Sequence, residues 1–291
     1  MPFASGVSLA SNRKYPLYPK WLAPASSIVL RERVAIWMLA LFPIAALARI
    51  SPMARSPIAE RRTPRISVND LALYMVSSDT ARVGIIRRAK NPSVPPIIRY
   101  RDVRPVVCAF LADSTRNVNL LVVAEETFNQ RAEDSAVSVL RQDDARNSIE
   151  VLHALQGMAN QLAPFQFGLA PRRQPKLDLA GVEVSTYADL LVTGRIRGED
   201  HSGAAILRLT QDDAETEPAR TKRREMGFYV ASLARIHAEQ NLNQGIPIAN
   251  RLCMSIDVQH RECFRSPDSN TRRMNDLENA CRFIAAMWDA V

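Results

Sequence analysis

The chain lacks several features that would assign it directly to a structural class. Its four cysteines do not have the paired spacing of a disulfide framework, which favours a reduced compartment. An apolar run at residues 34–47 is shorter than the roughly twenty residues that a membrane span needs, so the sequence does not favour a membrane protein. A glycine-rich phosphate loop, a G-x-S-x-G elbow and an H-E-x-x-H helix are also missing, and nothing indicates a small-molecule cofactor.

What the chain does contain is typical of a globular protein. Its 291 residues are 47% hydrophobic and 23% charged, which argues against bulk disorder. This length can bury the core of one large domain or of two small ones. Internal repeats and low-complexity segments are not found, and the sequence gives no indication of the oligomeric state.

The formal net charge of +8 is unevenly distributed along the chain. Residues 1–66 hold ten basic and two acidic side chains, whereas the remaining residues hold 28 of each sign. The basic excess therefore belongs to the N-terminal segment, and it does not by itself indicate a nucleic-acid-binding fold.

The N-terminal segment has two interpretations. From Met53 the sequence resembles an ordinary basic bacterial N terminus, which favours a start codon placed too far upstream for residues 1–52 and a basic linker at 53–66. This interpretation predicts a cytoplasmic protein. The alternative is an export signal at residues 31–48, in which two arginines precede the apolar run and Ala46–Ala48 forms a small-x-small cleavage site.

The rest of the chain divides into a helical part and a mixed part. Residues 67–140 show helical patterns, with Asn69 and Asp70 as N-cap candidates, and predict a helical subdomain. Residues 145–291 predict a helix, three strands, a helix, two strands and a final helix. The predicted strands lie at residues 181–185, 188–196, 203–209, 251–258 and 262–264.

This order of elements resembles the α-β-β-β-α-β core of the PD-(D/E)XK nuclease-like superfamily. The resemblance covers residues 145–291 and implies an α/β, restriction-endonuclease-like core preceded by the helical subdomain. It is most specific at Asp189, which matches the first metal-binding acid of the family at the start of the second core strand. The long helix has Glu225 and Tyr229 at the spacing of the Gln-x-x-x-Tyr motif of RecB-like members.

The resemblance implies a Mg²⁺-dependent phosphodiesterase site. Asp189 and Glu150 are the expected metal ligands, the latter on the helix that donates an acid in many members. Each also has a structural interpretation, as a turn-closing Asp and as a Glu favoured by the helix dipole. Glu225 and Tyr229 lie one turn apart and are further candidates for the site.

The third core strand departs from the family pattern. Ile206 and Arg208 stand where the family has its second carboxylate and its lysine. An arginine retains a positive charge that can contact the scissile phosphate, but its high pKa makes it a poor group for proton transfer. Whether the chain is an enzyme is therefore left open by the sequence.

Three functions follow as hypotheses. The first is a DNA-related protein with a nuclease-like core that is weakly active or inactive as a phosphodiesterase. The second is a non-catalytic module that binds nucleic acid or protein on the same fold. The third is an exported or membrane-anchored protein, which depends only on residues 31–48.

Overall fold

A computed structural model describes residues 60–95, 97–210, 215–242 and 245–291. These residues fall within one compact unit that spans residues 55–291. The predicted leader at 1–52, the proposed start at Met53 and the alternative export signal at 31–48 lie outside the described residues. Within the described ranges, no helix combines the length and the apolar character needed to cross a bilayer.

The described ranges form an α/β protein, as the sequence predicts. Its helices are α1 Val68–Met75, α2 Asp79–Lys90, α3 Val103–Ala112, α4 Asn119–Glu133, α5 Val139–Gly157, α6 Ala159–Leu162, α7 Glu217–Asn241 and α8 Thr271–Met287. Its strands are β1 Arg65–Ser67, β2 Gln166–Leu169, β3 Leu177–Leu179, β4 Val182–Ser185, β5 Leu190–Ile196, β6 Glu199–Arg208, β7 Met254–Asp257 and β8 Glu262–Arg265.

The strands form two mixed sheets. The larger has five strands in the order β2-β5-β6-β7-β8, and the smaller has three in the order β1-β4-β3. All neighbours in the larger sheet are antiparallel except β6 and β7, which run parallel and are connected through α7. A long crossover of this kind is required because a tight turn cannot join parallel strands.

Helices cover both faces of the larger sheet. Ala205 and Leu207 of β6 belong to a hydrophobic core shared with α3, α4 and α5, whereas Ile206 belongs to a core shared with α1, α2, α7 and α8. Consecutive side chains of a strand point to opposite faces, so the apolar run at the end of β6 fills both cores. This burial on both faces explains why β6 does not alternate between apolar and polar residues.

The helices predicted as a subdomain at 67–140 contribute to both of these cores. Residues of α1 and α2 are buried in the cluster that contains α7 and α8. Residues of α3 and α4 are buried in the cluster that contains α5, β5 and β7. The four helices are therefore part of the same two cores as the helices of residues 145–291, and α3 packs directly against β2 of the larger sheet.

Two helices begin with residues that suit a helix N terminus. Ser67 caps α1 by accepting a hydrogen bond of 3.1 Å from the amide of Asp70, so the helix begins before the caps predicted at Asn69 and Asp70. The longest helix, α7, begins after Thr216 and has Pro218 in its first turn. Proline suits this position because the first amides of a helix have no intrahelical acceptor.

The strand assignments from the sequence need correction at several places. The strands β1 and β3 are not predicted, and β6 begins at Glu199, before the predicted strand 203–209. Residues 181–185, predicted as the first strand of the main sheet, contribute β4 to the small sheet. The neighbour of β5 is instead β2, which the sequence does not predict because it has only four residues and both of its ends are exposed. The beginning of the predicted strand 251–258 is a 3₁₀ turn, Asn250–Leu252.

We expect Gly203→Ala to destabilise the fold. A Cβ atom at Gly203 would overlap the backbone carbonyl group of Leu252, which forces β6 and the turn before β7 apart. Overpacking of this kind costs about 2–3 kcal/mol of unfolding free energy, measurable by chemical denaturation. Gly168→Ala in β2 is the control, since nothing lies within 4 Å of its added Cβ, and an equal loss in both variants would contradict the explanation.

Candidate functional site

Asp189 lies immediately before β5, and its carboxylate is almost completely buried. Its side chain is 1% exposed, and Oδ1 lies 2.6 Å from the Nη1 atom of Arg104 on α3. Its other oxygen, Oδ2, accepts a hydrogen bond of 2.7 Å from the amide of Leu207. Arg104 also donates to the carbonyl of Leu207 at 3.3 Å, so these three residues tie α3 to the end of β6.

The surroundings of Asp189 do not favour a divalent cation. Burial raises the pKa of Asp189, while the charge of Arg104 and the Leu207 amide oppose this shift. The Arg104 guanidinium already supplies the compensating positive charge to Oδ1. A metal ion bound to the same carboxylate would therefore be repelled by an arginine at hydrogen-bonding distance.

The residue beside Asp189 on the next strand is apolar. Leu190 is opposite Ala205, and this register places Asp189 beside Ile206. Ile206 is 3% exposed and is part of the hydrophobic core on the α7 side of the sheet. The position that the superfamily pattern assigns to a second metal ligand therefore stabilises the fold by apolar burial.

Arg208, at the end of β6, belongs to a second polar cluster. Its Nη1 atom lies 3.1 Å from Oδ2 of Asp257, the residue opposite it on β7. Oδ1 of Asp257 lies 2.8 Å from Nδ1 of His260. Because the side chains of Arg208 and Asp257 are 11% and 1% exposed, their ion pair is shielded from solvent and is held in place by the sheet.

A recess of about 240 Å³ opens beside this cluster. Arg208 and His260 line it from the sheet, Lys222 and Met226 from α7, and Asp70 from α1. Asp189 contacts α3, on the other side of the sheet. The structure therefore places Asp189 and Arg208 at the same end of β6. The side chain of Asp189 contacts α3 on one face of the sheet, whereas that of Arg208 lines the recess beside α7 on the other face.

The other predicted site residues have different neighbours. Glu150 is exposed on α5. Glu225 accepts a hydrogen bond of 2.9 Å from Arg273 of α8, and the same guanidinium lies 4.9 Å from the ring centre of Tyr229. Glu225 and Tyr229 do share one face of α7, as their spacing predicts, but that face contacts α8.

The side chains expected to hold Mg²⁺ have different surroundings in the structure. Within residues 60–95, 97–210, 215–242 and 245–291, no three His, Cys, Asp or Glu side chains form a group that could hold a metal ion. Asp189 and Glu150, the two predicted ligands, differ in burial and in partners. The charge of Asp189 is compensated by Arg104, which the sequence does not identify.

A second contact that the sequence does not predict fixes the backbone just before Asp189. The side chain of Gln174 accepts from the amide of Ala188 at 2.9 Å and donates to its carbonyl at 2.8 Å, as a neighbouring strand would. The Nε2 atom of His237, on α7, lies 2.8 Å from the same Gln174 oxygen. An amide oxygen only accepts, so Nε2 carries the proton and Nδ1 accepts from Asn241 at 3.0 Å.

Comparison with known proteins does not add a family assignment. No protein-family model matches the chain, and no curated protein matches its sequence.

We expect Asp189→Asn to reduce the unfolding free energy by about 1–3 kcal/mol. The side-chain NH₂ of the asparagine would have to face either the Arg104 guanidinium or the backbone amide of Leu207, and both of these groups are hydrogen-bond donors. The measurement is chemical denaturation beside Glu150→Gln, an exposed carboxylate for which we expect a change within about 0.5 kcal/mol. Unchanged or increased stability in Asp189→Asn would instead indicate a carboxylate held under strain for a ligand.

Acidification should destabilise the protein through His237. Burial lowers the pKa of His237 to about 4, so below pH of about 6.5 the unfolded chain binds a proton that the folded chain excludes. The unfolding free energy should therefore fall by about 3 kcal/mol between pH 6.5 and 4 because of this residue. The His237→Gln variant should lose this part of the pH dependence of the unfolding free energy. The control His153→Gln, at an exposed histidine, should retain it. The same pH dependence in the wild-type protein and both variants would show that His237 is not the cause.

Proposed function

We propose that this chain is a non-catalytic nucleic-acid-binding module built on a PD-(D/E)XK nuclease-like core. The succession α5, β2, β5, β6, α7 and β7 supports the relationship, because it follows the α-β-β-β-α-β order of that superfamily. Two strands of the small sheet, β3 and β4, are inserted between β2 and β5, and the short helix α6 lies between α5 and β2. Asp189 immediately precedes β5 in this arrangement, where the superfamily pattern places its first acid.

One observation carries the non-catalytic part of the proposal. Both oxygens of Asp189 are engaged by protein donors, and the adjacent position is the buried Ile206. Metal-assisted hydrolysis needs carboxylates that bind the cation and a group that activates water. Arg208 is a poor substitute for a general base because the guanidinium retains its proton.

The binding part of the proposal is supported by the recess beside Arg208. Three basic side chains, Arg208, Lys222 and Arg223, line it together with the acidic Asp70. Arg208 is held in position by Asp257, so its orientation does not depend on a ligand. Positive side chains that line one recess suit a phosphodiester backbone, which bears one negative charge for each nucleotide.

The test is a cleavage assay combined with a binding assay on the purified chain. We expect no cleavage of linear duplex or single-stranded DNA in Mg²⁺ or Mn²⁺, and binding that weakens as salt is raised. Asp189→Ala is the companion variant for the cleavage assay. Robust metal-dependent cleavage that disappears in this variant would contradict the proposal and would show that Asp189 exchanges Arg104 for a metal ion.

A protein-binding module is the second candidate, and exposed apolar side chains near the start of α4 favour it. Val118, Val122 and Val123 are 52%, 52% and 64% exposed. Apolar side chains that cluster on a surface mark protein contacts more often than isolated ones do. Failure of the chain to bind nucleic acid even at low salt would favour this candidate over the first.

A further inference from the structure

A wide groove lies at the opposite end of the main sheet from Asp189. It has a volume of about 950 Å³ and is lined by residues of the β5–β6 hairpin, of segment 248–251 before β7, and of β8 with the residues that follow it. Asp189 precedes β5, whereas the groove begins where β5 ends. The length of the strands therefore separates this groove from the candidate site.

Three exposed arginines reach the groove from three separate parts of the chain. Arg197 is in the β5–β6 turn, Arg251 is in the 3₁₀ turn before β7, and Arg265 ends β8. In contrast to Arg104 and Arg208, none of them forms an ion pair or a side-chain hydrogen bond with a residue of the described ranges. Their charge and their hydrogen-bond donors are therefore available to an anionic ligand.

The composition of the groove indicates what kind of anion it suits. Glu199 and Asp268 also line it, so the groove has two carboxylates against three guanidinium groups. Two aromatic rings, Phe228 and Phe264, lie on one side with their centres 5.6 Å apart in an edge-to-face arrangement. Phe264 is buried, and the guanidinium groups of Arg224 and Arg273 lie 5.7 and 5.2 Å from the ring centre of the half-buried Phe228. The groove is therefore suited to an anion chiefly through its guanidinium groups, and a positively charged groove that follows the backbone is a common feature of proteins that bind single-stranded nucleic acid.

We propose that this groove binds single-stranded nucleic acid. Arg197, Arg251 and Arg265 contact phosphates of the bound strand. The inference rests on the proposed function for the class of ligand, but it assigns the contacts to a surface remote from Asp189 and Arg208. A groove of about 950 Å³ holds a few nucleotides of one strand and is too small to enclose a duplex.

The salt dependence of binding tests this proposal. A fluorescently labelled oligothymidylate is titrated with the full chain at several salt concentrations, and the logarithm of the association constant is plotted against that of the salt concentration. Each lost phosphate contact lowers the slope for single strands by about 0.7. The triple variant Arg197→Gln/Arg251→Gln/Arg265→Gln should therefore have a slope smaller by about 2 and, at low salt, an affinity lower by at least about tenfold.

A second triple variant controls for net charge. Arg87, Arg172 and Arg173 are exposed and do not line the groove, so their replacement by Gln removes the same charge elsewhere. We expect this control to retain the slope and to lose no more than about twofold in affinity. Thermal unfolding of both variants establishes that they are folded.

The outcomes separate this inference from the proposed function. Equal losses in both triple variants, or wild-type affinity in the groove variant, would overturn the groove as the binding surface. If the groove variant binds normally while Lys222→Gln does not, nucleic-acid binding stands but belongs to the recess beside Arg208. If the wild-type chain binds no oligonucleotide at low salt, both proposals fail.

Discussion

The ion pair between Asp189 and Arg104 is the constraint on which the candidate site depends. It connects α3 to the point where β5 starts beside β6, and it includes the Leu207 amide and carbonyl in the same network. A buried carboxylate without such partners would be costly, since its charge would have to be lost or compensated. The network compensates the charge with a guanidinium and a backbone amide, and these partners occupy the carboxylate that hydrolysis would need.

The two ends of the main sheet differ in how their charges are balanced. At the end that contains Asp189, the arginines on α3 and β6 are each paired with a buried Asp. At the other end, the three arginines of the groove have no such partner within the described part of the chain. At the end that contains Asp189, carboxylates of the protein itself balance the charges of the arginines. At the end that contains the groove, a ligand can neutralise the charges of the arginines.

Local sequence patterns predict the central part of the fold. The strand β5 and the long helix α7 lie where the sequence predicts them, because their buried side chains recur with the period of each element. The strand β6 begins at Glu199, four residues before the predicted strand 203–209. The small sheet is different. Its strands have three or four residues each, and β1 pairs with β4 through contacts such as Arg65 with Glu183, which no local pattern can indicate.

The candidate site is predictable only in part for the same reason. Asp189 and Arg208 can be found from strand order, because each stands at the end of a strand. Their partners cannot: Arg104 precedes Asp189 by 85 residues and belongs to a helix with no recognised motif. Gln174 and His237 likewise meet across 63 residues. Pairings of this length depend on the packing of the layers, which a single sequence does not specify.

The most direct test of the central claim is a double-mutant cycle of Asp189→Asn and Arg104→Gln, measured by chemical denaturation with and without Mg²⁺. If Asp189 is a structural carboxylate paired with Arg104, the two substitutions should be coupled by at least about 1 kcal/mol, and Mg²⁺ should not change the coupling. A coupling energy near zero, together with stabilisation of the wild-type chain by Mg²⁺ that Asp189→Asn abolishes, would contradict the account and would identify Asp189 as a metal ligand.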